Sequence, residues 1–232
     1  MNTQVEKRYA RNITAISPEQ LQALHSKKVC VVGGGGLGGY IVEILARIGI
    51  LNITLIDNDV FDDNNLNRQL FSKESLLGKS KVAAAKERIA EVNSTVNLTT
   101  YNEMLTTDNA KSMLADHDLV MDALDNIQTR LMLMQTCKEL GIPMVHGAIA
   151  GWHGQITSIF PGDDTLDLLY KNQDSEKGVE IELGNLPFTA STTASLQCAE
   201  AIKILTGKGS PIRNAVLQID LLNNDYIKMK LR

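Results

Sequence analysis

The sequence predicts an α/β fold: a mostly parallel sheet with antiparallel C-terminal strands and helices on both faces. Three observations predict it. Short apolar runs such as KKVCVVGG (27–34) alternate with helix-period segments through the first 150 residues. A glycine-rich turn, VVGGGGLGG, stands where the first strand meets the first of these helices. Beyond Gly151 the alternation gives way to strand-like pieces with one long helix among them.

The elements follow in order. KKVCVVGG reads as a buried strand, GLGGYIVEILARIG (36–49) as a helix and NITLID (52–57) as a second strand. A helix at about 80–92, a strand near 96–102 and a helix at about 108–115 come next. DLVMDAL (118–124) is a strand, 126–140 a helix ended by Gly141, and PMVHGAI (143–149) the fifth strand. Such alternation requires right-handed crossovers and hence parallel pairing. QITSIF (155–160) is a strand, 161–187 reads as a long polar irregular loop, and a helix runs from about 190 to 206. NAVLQID and YIKMKLR then add antiparallel strands to the same sheet, so residues 1–232 read as a single domain.

Bulk composition removes several function classes. A chain of 232 residues with 44% hydrophobic and 22% charged residues is ordinary for a globular protein. A net charge of −4 gives no global attraction to nucleic acid or anionic membrane, so neither is an expected partner. The polar start, MNTQVEKRYARN, lacks the apolar core of a signal peptide, and Arg47 and Asn52 break the most apolar window, so no span is expected. Cys30, Cys137 and Cys198 are too far apart for a CxxC pair. That usage fits a reducing, cytoplasmic setting.

Chemistry concentrates in two stretches. Gly33, Gly35, Gly36 and Gly38 follow a strand and open a helix, a context in which backbone N–H groups receive a phosphate. Asp57 ends the next strand, where a carboxylate meets ribose hydroxyls. From Asp57 to Asn67, eight of eleven residues are Asp or Asn, and Arg68 follows, flanked by Leu66, Leu70 and Phe71. A calcium loop starting at Asp57 fails, because its required glycine is Asp62 and its bidentate glutamate is Arg68. A solvated loop with Arg68 in a surface ion pair is the plainer alternative. The three apolar neighbours instead imply a docked loop. Arg68 and Lys81 near the glycine turn suit a triphosphate better than a dinucleotide, and no hydride-transfer site is marked.

GGGGLGG, LIDNDVFDDNNLNRQLF, LGKSKV and VMDALDN together resemble the ThiF/MoeB/HesA adenylyltransferases, relatives of ubiquitin-activating enzymes. The resemblance covers about residues 7–160 and returns in the helix at 194–207. It implies a Rossmann-like fold, ATP and Mg²⁺ as cofactors, and a homodimer. In that reading the four glycines, Asp57, Asp59, Asn65, Arg68 and Lys81 bind the nucleotide, and Asp125 holds the metal. Arg11, Arg68, Lys81 and Asp125 are the catalytic set. RYARN (8–12) resembles an RYxRQ element whose second arginine, here Arg11, enters the partner's site, with Asn12 in place of Gln. The implied reaction is adenylation of a carboxylate, that of the C-terminal glycine of a ubiquitin-like sulfur-carrier protein.

The chain also departs from the family. It lacks the two CxxC pairs that hold zinc in many relatives, so no zinc is expected. Residues 161–187 contain no cysteine to accept the activated carrier. These departures keep open a small-molecule carboxylate substrate on the same scaffold. A nucleotide-binding interaction module without turnover is the third alternative. The three cysteines read as core, Cys198 included. His146 reads either as lining the site or as a buried imidazole, and His153 as a substrate contact or a turn residue. His25 and His117 read as surface residues.

Overall fold

The structure is a computed structural model that describes residues 5–171 and 180–231. Eight strands form one sheet: β1 (Lys28–Val32), β2 (Asn52–Ile56), β3 (Asn97–Tyr101), β4 (Leu119–Asp122), β5 (Met144–Ala150), β6 (His153–Ile159), β7 (Ala215–Asp220) and β8 (Asp225–Lys230). Their order is β3-β2-β1-β4-β5-β6-β7-β8. The first five strands in this order pair in parallel and the last three are joined antiparallel.

The helices are α1 (Pro18–Ser26), α2 (Gly38–Ile48), α3 (Lys81–Val92), α4 (Ala110–Leu114), α5 (Ile127–Leu140), α6 (Thr165–Leu169), α7 (Glu180–Leu183) and α8 (Pro187–Thr206). The parallel strands are apolar on both faces because each face is covered. In β1, Val29 and Val31 join the core beneath α2, α3 and α8, whereas Cys30 and Val32 join the core beneath α4 and α5. Hydrophobic burial on both sides thus explains why the run shows no alternation in sequence.

Four expectations are corrected. Helix α1 is absent from the sequence reading, although Ser17 and Gln20 form a capping box before Pro18. The segment 161–187 is not irregular throughout, since α6 and α7 lie within it; residues 172–179 of it lie outside the described residues. His117 is half-buried, not a surface residue: Leu114 O lies 3.0 Å from Nδ1 and Thr54 Oγ1 lies 2.8 Å from Nε2. His25 is also half-buried, its ring 5.2 Å from that of Tyr9.

The strand order reverses between β1 and β4: β2 and β3 extend to one side of β1, β4 and β5 to the other. Loops leaving the C-terminal ends of β1 and β4 therefore part in opposite directions and leave a crevice. Among the described residues, no helix is long and apolar enough to cross a membrane.

Candidate active site

The crevice is a cavity of about 560 Å³, a size that accommodates a nucleotide. The ends of β1, β2 and β4 supply Gly33, Asp57 and Asp125, and the chain after β3 supplies Glu103, Met104 and Leu105. Gly35, Gly36, Asp59, Arg68 and Lys81 complete the sequence-predicted residues on its wall.

The glycine turn is shaped by close approach. Gly33 has φ +99°, and a Cβ there would lie 2.5 Å from the Ala123 carbonyl oxygen. A Cβ at Gly38 would lie 1.8 Å from Gly33 O. Gly38 therefore lets α2 begin against the turn and does not itself line the cavity. No side chain caps α2, whose first N–H groups lie beside the cavity. Asp57 binds the turn from the other side: Gly34 N donates to Oδ2 at 2.5 Å and Asp59 N to Oδ1 at 2.7 Å.

The Asp/Asn run folds on itself. Asp62 and Asn65 form a reciprocal cap around a 3-10 turn at Asp63–Asn65. Asn65 is buried and shapes this turn; it is not on the cavity wall. Phe71 is buried in the core, as is Phe61 within the run, while Leu66 is half-buried and Leu70 is exposed, so the two phenylalanines anchor the loop. Arg68 donates from Nη1 to Asn64 O at 2.9 Å and to Asn67 Oδ1 at 2.8 Å. Burial lowers the Arg68 pKa and the charge of Asp125 opposes this, and both residues line the cavity. Lys81, the first residue of α3, is buried with its Nζ 2.8 Å from Asp59 Oδ2.

The sequence reading missed further wall residues. Arg130 is 5% exposed and lies one helical turn after Asn126, which caps α5 by accepting from Thr129 N. An arginine one turn beyond DALDN was the available signal. Asn185, after α7, also lines the wall and its carbonyl accepts from Asn67 Nδ2 at 3.0 Å. Nothing in a polar stretch distinguished it.

Other expected residues lie elsewhere. Arg11 is exposed, outside the cavity, and makes no hydrogen bond or ion pair among the described residues. Tyr9 and Arg8 beside it dock on Asn93: Asn93 Nδ2 donates to Tyr9 Oη at 2.8 Å, and its Oδ1 accepts from Arg8. His146 is fully buried, not on the wall, and His153 is exposed in the β5–β6 hairpin, 3.9 Å from Asp220. All three cysteines are free and buried. Burial pushes the Cys137 thiol up to about 12 and raises those of Cys30 and Cys198. Among the described residues, no group of three His, Cys, Asp or Glu side chains is placed to hold a metal ion. Asp125 is a single open carboxylate, which suits a Mg²⁺ held mainly by substrate phosphates and water.

Comparison with known proteins places this geometry. The fold matches Escherichia coli MccB at a TM-score of 0.86, covering 100% of this chain and 71% of that one at 21% identity. MccB with ATP matches at 0.80, covering 97% and 72% at 21% identity. The "Adenylyltransferase and sulfurtransferase MOCS3-1" of Zea mays is 34% identical over 97% of the chain, and the chain spans about half of that relative's length, 49%. Molybdopterin-synthase adenylyltransferase of Escherichia coli K12 is 32% identical over 90% of the chain and 85% of its own length. The SAMP-activating enzyme E1 of Haloferax volcanii is 31% identical over 94% and 83%. The ThiF family model matches residues 9–232, which include the whole crevice, and the chain belongs to the ThiF family.

Proposed function

We propose that this protein uses ATP to adenylate a carboxylate, that of the C-terminal glycine of a ubiquitin-like sulfur-carrier protein. The observation that carries this reading is convergence: the glycine turn, Asp57, Arg68, Lys81 and Asp125 come from separate segments and share one cavity. Relatives at 31–34% identity bear the names of adenylyltransferases and of an E1 activating enzyme, which supports the same reaction.

The chemistry follows from the charges. The substrate carboxylate attacks the α-phosphorus, an oxygen–phosphorus bond forms, and the bond to pyrophosphate breaks. The nucleophile already carries its negative charge, so no general base is needed. What the site must supply is alignment and positive potential. Asp57 takes the ribose, the α2 N-terminus and glycine turn receive phosphate oxygens, and Arg68 and Lys81 stabilise the charge that gathers on the leaving pyrophosphate. Lys81 exchanges Asp59 for a phosphate oxygen when the triphosphate enters. Asp125 would hold Mg²⁺, which when bound neutralises phosphate charge. The active unit is a homodimer in the cytoplasm, with Arg11 of each chain reaching the other's cavity. Its exposure and lack of a partner among the described residues support this.

A second reading, adenylation of a small-molecule carboxylate, is favoured by one observation: no cysteine stands in 161–187, and the three present are buried. Pyrophosphate exchange, measured with candidate carriers and small acids, separates the two. Exchange stimulated by a carrier with a free C-terminal glycine is expected. Exchange only with small acids would establish the second reading, and a preference for NAD over ATP in calorimetry would remove both.

A further inference from the structure

Behind the cavity wall lies a chain of polar groups contributed by five segments. Asp122 at the end of β4 and His146 in β5 are both fully buried. His146 Nδ1 lies 2.6 Å from Asp122 Oδ2, and the other carboxylate oxygen accepts from Leu124 N at 3.0 Å. Tyr170, just after α6, places its hydroxyl 3.2 Å from His146 Nε2. The same hydroxyl oxygen accepts from Arg130 Nη1 and from Gln155 Nε2, each at 3.2 Å. Arg130 also donates from Nη2 to Leu124 O, and its Nε lies 3.9 Å from Asp122 Oδ2.

The directions of these bonds are fixed by one protonation state. Burial lowers the His146 pKa, and the Asp122 carboxylate only partly opposes it, so the imidazole is neutral. With Nδ1–H donating to the carboxylate, Nε2 is left as an acceptor. The Tyr170 O–H then points to Nε2, which turns its oxygen lone pairs to Arg130 and Gln155. Burial also raises the Tyr170 pKa and keeps that hydroxyl a donor. A guanidinium gripped at two nitrogens by fixed acceptors has one orientation. Arg130 is the member of this chain that reaches the cavity wall, beside Leu124 and Asp125.

We infer that Tyr170 and His146 are positioning residues that fix the Arg130 guanidinium against the anion in the cavity. They thereby tie the seating of the segment after β6 to the alignment of the reacting phosphate. This inference rests on the adenylation reading. A buried ionic network is not needed for stability, since an apolar core of the same volume serves as well or better. Its cost is accounted for when one end of it works on a substrate.

A double-mutant cycle tests the link. Tyr170→Phe deletes one oxygen and keeps the ring, which packs edge-on against His146 with centroids 5.9 Å apart. It should lower kcat for pyrophosphate exchange about tenfold, the scale of one lost charge-assisted hydrogen bond, with KM for ATP changed little. In an Arg130→Lys background, which lacks the fork to be aligned, the same change should cost less than about twofold. Equal losses in both backgrounds would overturn the inference and leave Tyr170 as packing alone. A readout independent of turnover is the nitrogen NMR spectrum of Arg130: resolved Nη signals in the wild type should merge in Tyr170→Phe, and unchanged signals would also overturn it. If the wild type exchanges no pyrophosphate with any acid, the adenylation reading fails, and the Arg130 spectrum still decides whether Tyr170 holds the guanidinium.

Discussion

Lys81 Nζ stands 2.8 Å from Asp59 Oδ2, a buried ammonium paired with a carboxylate whose side chain is 60% exposed. The asymmetry matters, because the carboxylate can turn to water while the lysine cannot. Lys81 is thus held toward the cavity before any phosphate arrives. Lys81→Ala, Arg68→Ala and Asp125→Ala should each lower pyrophosphate exchange by about 10²-fold or more, the loss typical of one preorganised electrostatic contact. Arg68→Ala and Asp125→Ala should retain near-wild-type thermal midpoints. A variant with near-normal exchange does not belong to the site.

Gly38→Ala should fail for a different reason. The added methyl would stand 1.8 Å from Gly33 O, a backbone atom that moves only with the whole turn. The expected destabilisation is at least about 1–3 kcal/mol, the range for forced overpacking, read as the shift of a urea midpoint. Gly78→Ala is the control for left-handed strain without a clash, since nothing lies within 4 Å of its Cβ position at φ +75°. Equal midpoint losses in the two variants would refute the steric account.

Acid should erode the protein's stability in two pH windows. Burial depresses the pKa of His146 below its ordinary 6.5, so the native state binds fewer protons than the unfolded chain in that window. Its contribution is complete above pH 6.5 and is lost as pH falls through the depressed value. Glu43 follows at lower pH. Burial raises its pKa, but hydrogen bonds from Arg88 and Arg47 outweigh that and hold it below 4.5, so its contribution disappears as pH falls through the folded value. Urea midpoints measured against pH should show both slopes, and His146→Gln should flatten the first alone.

Subunit mixing addresses Arg11. If the proposed homodimer is the active unit, Arg11→Ala and Asp125→Ala dimers should both be nearly inactive. After subunit exchange, a heterodimer carries one cavity with both wild-type residues and should regain activity through it. Exchange shown by mass without recovery would place Arg11 in cis or outside the reaction.

Much of this was legible in the sequence for a physical reason. Parallel strands buried on both faces read as apolar runs, and the glycine turn at their end marks close backbone approach at Gly33 and Gly38. Asp57, Arg68 and Lys81 stood out because charge beside an apolar strand end is costly without a purpose. Arg130 did not, since an arginine at helical spacing looks like an exposed face until its burial is seen. Asn65 shows a use the sequence did not signal: its amide caps a turn, employing locally the same hydrogen-bonding atoms that would bind a ligand. His146 carried two open readings because a strand histidine gives no hint of the Asp122 carboxylate on the neighbouring strand.

The carboxylate of Asp57 closes the glycine turn through Gly34 N and fixes the chain after β2 through Asp59 N. Anyone redesigning this crevice for another cofactor would begin at such a strand-end acid, because it is where a sugar would be discriminated. Here that acid is also the clasp of the loop proposed to receive the phosphates. With the ribose role proposed for Asp57, selectivity and loop order would share one pair of oxygens, and specificity could not be retuned at this position without first supplying the loop with another fastening.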